Sequence, residues 1–362
     1  MAVNEAEVNE ADLSGRRIVV TGSSGMLGSA LVRRLAQEGA DVVGIDRAPD
    51  AAAPRGVVQV TADVRDDDAV LAGLHGADAV VHCVAALPSY PEDQIRDITV
   101  GGTRAVLRAA RRAGVPRFVH ISSTAVYGLP LVVPTPVDHP REPVDTYSRA
   151  KADAEVLCEQ ARDDGLCVTM LRPKTFVGPG RMGLFSMLFE WADEGRNFPV
   201  LGDGNVLTQM LGIDDLVDAV CLALRADDDV AAGTYNIGAA EFGTIREDFQ
   251  AVLDAAGHGG RIVSLPQRPA VAVLGVLGRL GASPVYGRLI HKLRRHSYVD
   301  ISASVTRLGF SPRQSNQDAI LATFDWWRAE QRDAAPGTAA GTGHTSRDAW
   351  QQGVLGLAKV LF

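Results

Sequence analysis

Cysteine is scarce in this sequence and scattered: four residues (Cys83, Cys158, Cys167, Cys221) in 362, with no paired spacing of the kind that holds zinc. That excludes a disulfide framework and a cysteine-built metal site, and the expectation is buried, reduced thiols and no metal. Also missing is any uncharged apolar run of about 18 residues, so no membrane-spanning helix is expected. The opening MAVNEAEVNEADLSG is acidic and has neither the basic start nor the apolar core of an export signal. Residues 1–14 are read as a disordered leader on a cytoplasmic protein. An excess of positive charge is lacking as well: 36 Lys and Arg face 44 Asp and Glu, a net charge of −8. A broad nucleic-acid surface is thereby excluded, although a local basic patch is not.

Present instead is a hydrophobic content of 46%, enough for a large buried core, arranged in a repeating order. RRIVV, the glycine turn TGSSGMLG, an amphipathic stretch and DVVGIDR form a strand-helix-strand unit. The alternation continues through VVQVTADV, DAVVHCVAAL, RFVHISS and CVTMLRP, with helical patterns between them. Continuous Val/Ile-rich strands separated by helices predict an α/β fold, a doubly wound parallel sheet covered on both faces. After Pro173 the rhythm breaks into FVGPGRMG and FPVLGDGN, which suggests a smaller cap over the substrate.

The glycine turn carries the first chemistry. Gly22, Gly25 and Gly28 follow a strand and open a helix, where small residues let a pyrophosphate approach the helix N-terminus. The spacing is Gly-x-x-Gly-x-x-Gly, unlike the commoner Gly-x-Gly-x-x-Gly loop. Asp46 ends the second strand, where a carboxylate accepts from a ribose 2′-hydroxyl and repels a 2′-phosphate. This points to NAD rather than NADP, although the adjacent Arg47 suits a phosphate. The division that follows is a Rossmann-type NAD-binding domain over 15–173, to which 209–240 return, and a cap from 174–208 and 241–330. A glycine-rich linker at 331–347 then leads to an amphipathic helix at 348–362, suited to docking on its own or a neighbouring subunit, or to a membrane surface.

With Tyr147-Ser148-Arg149-Ala150-Lys151 in place, the chain resembles the short-chain dehydrogenase/reductase superfamily, and its length resembles the extended branch of NAD-dependent epimerases and dehydratases. TGSSGMLG, Asp63-Val64, VHCVAA, TVGGT, ISSTAVYG, YSRAK and RPKTFVGPG carry the likeness by their order, over residues 16 to about 330. Tyr147 and Lys151 lie four apart on one helical face, so an ammonium can favour the phenolate of a group whose ordinary pKa is near 10. Tyr147 then serves as general acid/base. The resemblance implies that Lys151 also holds the nicotinamide ribose and that Ser123 hydrogen-bonds the substrate oxygen, with Ser122 and Thr124 as neighbours able to share that role. It further implies that Asp63 and Val64 contact adenine and that Ala85 and Ala86 line the cofactor cleft. Ser24, Met26, Leu27, Pro173 and Thr175 complete the expected cofactor set, and Lys174 and Gln209 join Ser123 and Thr124 toward substrate. Where relatives begin the TVGGT stretch with Asn, this chain has Thr99.

Departures from the family's pattern bear on substrate. The Asp-Glu pair of dehydratases is replaced by Thr124-Ala125, which argues against 4,6-dehydration. The Arg that grips a sugar-nucleotide diphosphate is replaced by Thr208, with phosphate contacts open to Arg181, Arg261, Arg268, Arg288, Arg294 or Arg295. The apolar AVAVLGVLGRLGASPVYG followed by RLIHKLRRHSYVD reads either as core or as a greasy lid with a basic end, suited to an acyl substrate carrying an acid. His291 and His296 read as surface histidines. The leading expectation is an epimerase or oxidoreductase of a secondary alcohol, on a sugar nucleotide or other small molecule, working as a homodimer. A ketoreductase similar to hydroxysteroid dehydrogenases and a non-catalytic dinucleotide sensor are the alternatives.

Overall fold

The computed structural model describes residues 13–180, 184–272, 293–333 and Lys359. Strands β1 (Arg17–Thr21), β2 (Asp41–Asp46), β3 (Val58–Thr61), β4 (Ala79–His82), β5 (Arg117–Ile121) and β6 (Cys167–Pro173) alternate with helices. These are α1 (Met26–Gln37), α2 (Asp67–Gly73), α3 (Glu92–Arg96), α4 (Gly102–Ala113) and α5 (Thr146–Asp163). A π-helical turn at Asp97–Gly101 joins α3 to α4. Beyond Pro173 come β7 (Thr175–Val177), α6 (Leu184–Asp193), β8 (Phe198–Leu201), β9 (Met210–Gly212), α7 (Ile213–Arg225), α8 (Asp228–Ala231) and β10 (Thr234–Ile237). They are followed by α9 (Ile245–Ala256), β11 (Ile262–Leu265), α10 (Ser302–Leu308) and α11 (Asn316–Asp333).

Seven strands form one sheet in the order β10-β6-β5-β4-β1-β2-β3, and every pairing is parallel. This is the doubly wound α/β sheet expected from the alternation. Period-two side-chain alternation splits each strand between two cores: Ile18 and Val20 pack with α1 and α7, whereas Val19 faces the layer of α2, α4 and α5. The chain reverses direction of progress between β1 and β4, and ligands of such sheets lie at the strand ends beside this switch.

The cap has its own core. Phe189, Trp191, Phe198, Phe249, Phe324 and Trp327 interlock around α6, α9, α11 and the two-stranded β8–β11 sheet. Two expected boundaries shift. Leu13, assigned to the disordered leader, is fully buried in the α1–α7 core, and α11 runs to Asp333, past the expected start of the linker. The rest of the leader (1–12), Arg181, Arg288, His291, most of the apolar 270s and the linker beyond 333 lie outside the described residues. So does the C-terminal helix except Lys359, whose ammonium bonds Glu190 of α6 and, at 2.8 Å, Glu194 just after it. Among the described residues no helix is long and apolar enough to cross a membrane, and no group of side chains is suited to a metal. All four cysteines are free thiols, and burial pushes those of Cys83 and Cys221 up to about 12.

Candidate active site

The glycine turn sits at the end of β1, directly beside the switch point. Gly22 has φ of +73°, a conformation that strains residues with a Cβ, and its N–H donates to Ile45 O at 2.8 Å. A Cβ at Gly28 would fall 2.0 Å from Gly22 O, so only glycine lets α1 start this close to the loop. Gly25 is the N-cap of α1, and no side chain caps it. Met26 and Leu27 are buried beneath the loop, which leaves their backbone rather than their side chains toward a ligand.

Asp46, at the tip of β2, accepts from Ser24 N–H at 3.0 Å and Ala48 N–H at 3.3 Å, and the Ser24 hydroxyl donates to Ala48 O. Arg47 beside it is exposed. Asp63 is gripped by Arg65, whose guanidinium also reaches Asp97; the Arg65 bond outweighs burial and holds the Asp63 carboxyl below the usual carboxylate range. Val64 is buried against Gly102, where a Cβ would meet it at 2.9 Å. Ala86, in the loop after β4, is buried and its N–H donates to Thr99 Oγ1 at 3.3 Å, while Ala85 is half-buried. Thr99, the departure whose role the sequence left open, thus ties the π-helical turn to the cleft wall.

Tyr147 and Lys151 occupy the first turns of α5, whose start is set by a capping box. The Asp145 carboxylate accepts from Ser148 N–H at 2.7 Å, and Ser148 Oγ accepts from Asp145 N–H. Tyr147 is half-buried and packs with Ala86, Ile95, Val100 and Ala150, between the segment after β4 and the α3–α4 region. Lys151 is 3% exposed and its ammonium donates to Ile121 O at 2.7 Å. Burial pushes its pKa down to about 8, which leaves it mainly protonated at pH 7.

Ser123 follows β5 and caps a short 3-10 turn, its Oγ accepting from Ala125 N–H at 3.1 Å. That bond uses a lone pair and leaves the hydroxyl proton to be donated. Ser122 is turned away: its hydroxyl donates to Glu155 Oε1 at 2.6 Å in the interior, which removes it as a sharer of the Ser123 role. Thr124 is buried and lines a cleft next to Ser123. Pro173 is buried at the end of β6, and Thr175 is exposed.

Two substrate-side expectations resolve differently. Lys174 lines the same cleft as Thr124, and its ammonium donates to Ser297 O at 3.0 Å and Oγ at 2.9 Å. Gln209 is 1% exposed, donates to Ala239 O and accepts from Val299 N–H, so both ends of its amide are spent bracing the cap. It is a strut and not a ligand.

The sequence reading missed the group behind the helix. Arg172 forms a two-pronged pair with Glu155 (2.8 Å each) and donates to Tyr127 Oη at 2.8 Å, while Tyr127 donates to Asn236 Oδ1 at 2.7 Å. Glu155 lies four residues after Lys151, a spacing that was there to be read.

A model of the NAD-dependent epimerase/dehydratase family matches residues 18–238, more than half of the chain. The chain belongs to that family. It is accordingly an NAD-dependent enzyme of the extended short-chain dehydrogenase/reductase type. An uncharacterized protein, y4nG of Sinorhizobium fredii, is 37% identical over 90% of this chain and 82% of its own. The UDP-glucose 4-epimerase of Mycolicibacterium smegmatis is 32% identical over 86% of this chain and 98% of its own. Among solved structures, the UDP-glucose 4-epimerase of Thermotoga maritima superposes with a TM-score of 0.72 at 23% identity, covering 87% of this chain and 99% of that one; this likeness is one of fold. The residues present fit the family's cofactor: the glycine-only contact of Gly28 with Gly22, the glycine N-cap of α1 and the carboxylate of Asp46 form a cradle at the switch point suited to a pyrophosphate and a ribose.

Proposed function

We propose that the enzyme oxidises a secondary alcohol, or runs that step in reverse, with Tyr147 as the proton-transferring residue. NAD, when bound along Gly22–Gly28 and Asp46, supplies the hydride acceptor. The observation that carries the reading is the grouping on α5 and the end of β5. A buried Lys151 ammonium lies one turn from Tyr147, and Ser123 keeps a hydroxyl proton to donate.

The division of labour follows from charge. As the substrate C–O bond gains carbonyl character its hydroxyl proton must leave, and the Tyr147 phenolate accepts it. The nearby Lys151 cation lowers the cost of that phenolate. The Ser123 hydroxyl orients the substrate oxygen. Asp63, Val64 and the Ala85-Ala86 segment support the adenosine and cleft sides, and Pro173 and Thr175 border the nicotinamide side.

An epimerase acting on a sugar nucleotide is the leading class, supported by the likeness to the M. smegmatis enzyme over 86% of this chain. The second reading, a reductase of an apolar ketone, is favoured by one observation: Leu129, Pro130 and Val133 line the cleft beside Thr124. We also propose a homodimer formed through the α4–α5 face, where Val156 is 40% exposed. Turnover of Tyr147→Phe tests the central claim. A loss of about 10²–10⁴-fold with NAD binding kept is expected, and unchanged turnover would sink it. Native mass spectrometry separates the classes, since an epimerase retains its nicotinamide while a reductase exchanges it, and counts subunits in the same spectrum.

A further inference from the structure

The open cleft beside Ser123 is lined by three basic side chains, Lys174, Arg295 and His296, and among the described residues by no acidic one. Its basic wall is a held structure. Ser297 N–H donates to Leu207 O at 2.8 Å, and Leu207 N–H donates to His296 Nδ1 at 2.9 Å, so the segment carrying Arg295 is stitched to the strand-like stretch before β9. With Nδ1 occupied as an acceptor, the neutral His296 ring carries its proton on Nε2, which remains a donor. Lys174 is drawn to the same segment through Ser297. The opposite chemistry comes from the loop after Tyr127. Leu129, Pro130 and Val133 line the cleft, and Leu131 and Val132 of the same loop are 76% and 56% exposed. Exposed aliphatic side chains beside a basic cleft gain by covering an apolar surface that bears an anion.

We propose that this cleft is a carboxylate subsite: the substrate is an acid, its carboxylate held by Arg295 with Lys174 and His296 and its body set against Leu129–Val133. The proposal deepens the reading of the Ser123–Tyr147–Lys151 site and rests on it only for placing the reacting carbon near Ser123. A carboxylate is favoured by charge-assisted bonds to a guanidinium, and removing Arg295 leaves the cleft's shape largely intact because its side chain is exposed.

The test is calorimetric titration of the full chain with NAD present, using two pairs of probes that differ chiefly in the carboxylate: octanoate against octan-1-ol, and UDP-glucuronic acid against UDP-glucose. In at least one pair the acid is expected to bind about tenfold tighter or more, with that ratio collapsing toward one in Arg295→Gln and recovering in Arg295→Lys. The pair that shows the effect identifies an acyl or a sugar acid. Ratios within about twofold in both pairs, no binding by either acid, or a ratio indifferent to Arg295→Gln would overturn the proposal. The Tyr147→Phe variant is titrated in parallel. Because Tyr147 does not line the cleft, the variant is expected to keep the ratio even if the hydride reading fails, so the two readings fail separately.

Discussion

Arg172 and Glu155 form a two-pronged, nearly solvent-free ion pair between the end of β6 and the helix that carries Tyr147 and Lys151, with both N–O distances at 2.8 Å. Ser122 adds a donor on the Glu155 side and Tyr127 an acceptor on the Arg172 side. The pair therefore ties three segments that carry site residues: the end of β5 through the adjoining Ser122, α5 through Glu155 and β6 through Arg172. Removing one partner leaves the other charge buried, which costs about 3–5 kcal/mol. Arg172→Met is expected to lower the unfolding temperature by several degrees and to reduce turnover without changing the NAD-to-NADP preference. A thermal melt unchanged from the parent would show that the pair contributes nothing.

The same pair makes stability depend on acid. Burial alone would raise the Glu155 carboxyl, but the bonds from Arg172 and Ser122 and the charge of Arg141 outweigh it and hold it below its ordinary value of 4.5. A carboxyl whose folded pKa is lowered stabilises fully above its unfolded value, and that stabilisation is lost as pH falls through the folded one. Melts of the parent and of Glu155→Gln from pH 7 to pH 3 should therefore converge below about pH 4.5. Parallel curves over the whole range would contradict the linkage.

How much of this was legible follows from what spacing can encode. Val/Ile-rich runs alternating with helical patterns convey a parallel sheet because each run is buried on both faces, as with Val19 between Ile18 and Val20. Positions near in sequence convey proximity in the same way: Gly22 to Gly28 on one turn, Tyr147 and Lys151 on one helical face. Side-chain satisfaction across long separations is not encoded locally. Gln209 looked free for substrate until Ala239 and Val299 closed on it, from 30 and 90 residues away. His296 is exposed, as its sequence context suggested, but the partner it bonds lies 89 positions earlier. Ser122 was drawn inward by Glu155, 33 residues on, and nothing next to it in sequence announces that.

Burying Lys151 costs stability. Burial pushes its ammonium down to about 8, below its ordinary value of 10.5, so the folded state holds this proton less tightly than the unfolded chain. The sign is opposite to that of Glu155: a lowered lysine destabilises below about pH 8, and the penalty is relieved as pH rises from 8 toward 10.5. Lys151→Met is expected to melt at the same or a higher temperature than the parent at pH 7, with the gap closing toward pH 10, while turnover drops about 100-fold or more. A variant that is both less stable and fully active would refute both halves.

Gly28 tests the cradle directly. An added methyl would sit 2.0 Å from the Gly22 carbonyl oxygen, which is backbone and has no side chain to rotate away. Gly28→Ala must therefore push the start of α1 away from the loop, a distortion of about 1–3 kcal/mol by the cost of overpacking. Its expected signature is an NAD affinity at least tenfold weaker by calorimetry, with the far-ultraviolet circular dichroism of the sheet and helices preserved. Parent-like affinity would mean that the pyrophosphate does not depend on the closeness of that turn.

The proposed role of Asp46 is to discriminate between the two nicotinamide cofactors. Its carboxylate is held in place by Ser24 N–H at 3.0 Å and Ala48 N–H at 3.3 Å, an arrangement that aims a fixed negative charge at the end of β2. A ribose hydroxyl donates to that charge, and hydrogen bonds to charged groups contribute about 1.5–3 kcal/mol. A 2′-phosphate meets like charge there instead, although the exposed Arg47 stands ready beside it. In Asp46→Ala both effects vanish together: NAD binding should weaken about tenfold or more while NADP binding improves, helped by Arg47. The ratio of the two dissociation constants, measured at low and at 0.5 M salt, is the readout. The improvement for NADP should shrink at high salt, because an exposed guanidinium is screened over a Debye length of only a few ångströms there. If Asp46→Ala leaves the ratio unchanged, cofactor choice resides elsewhere in the cleft.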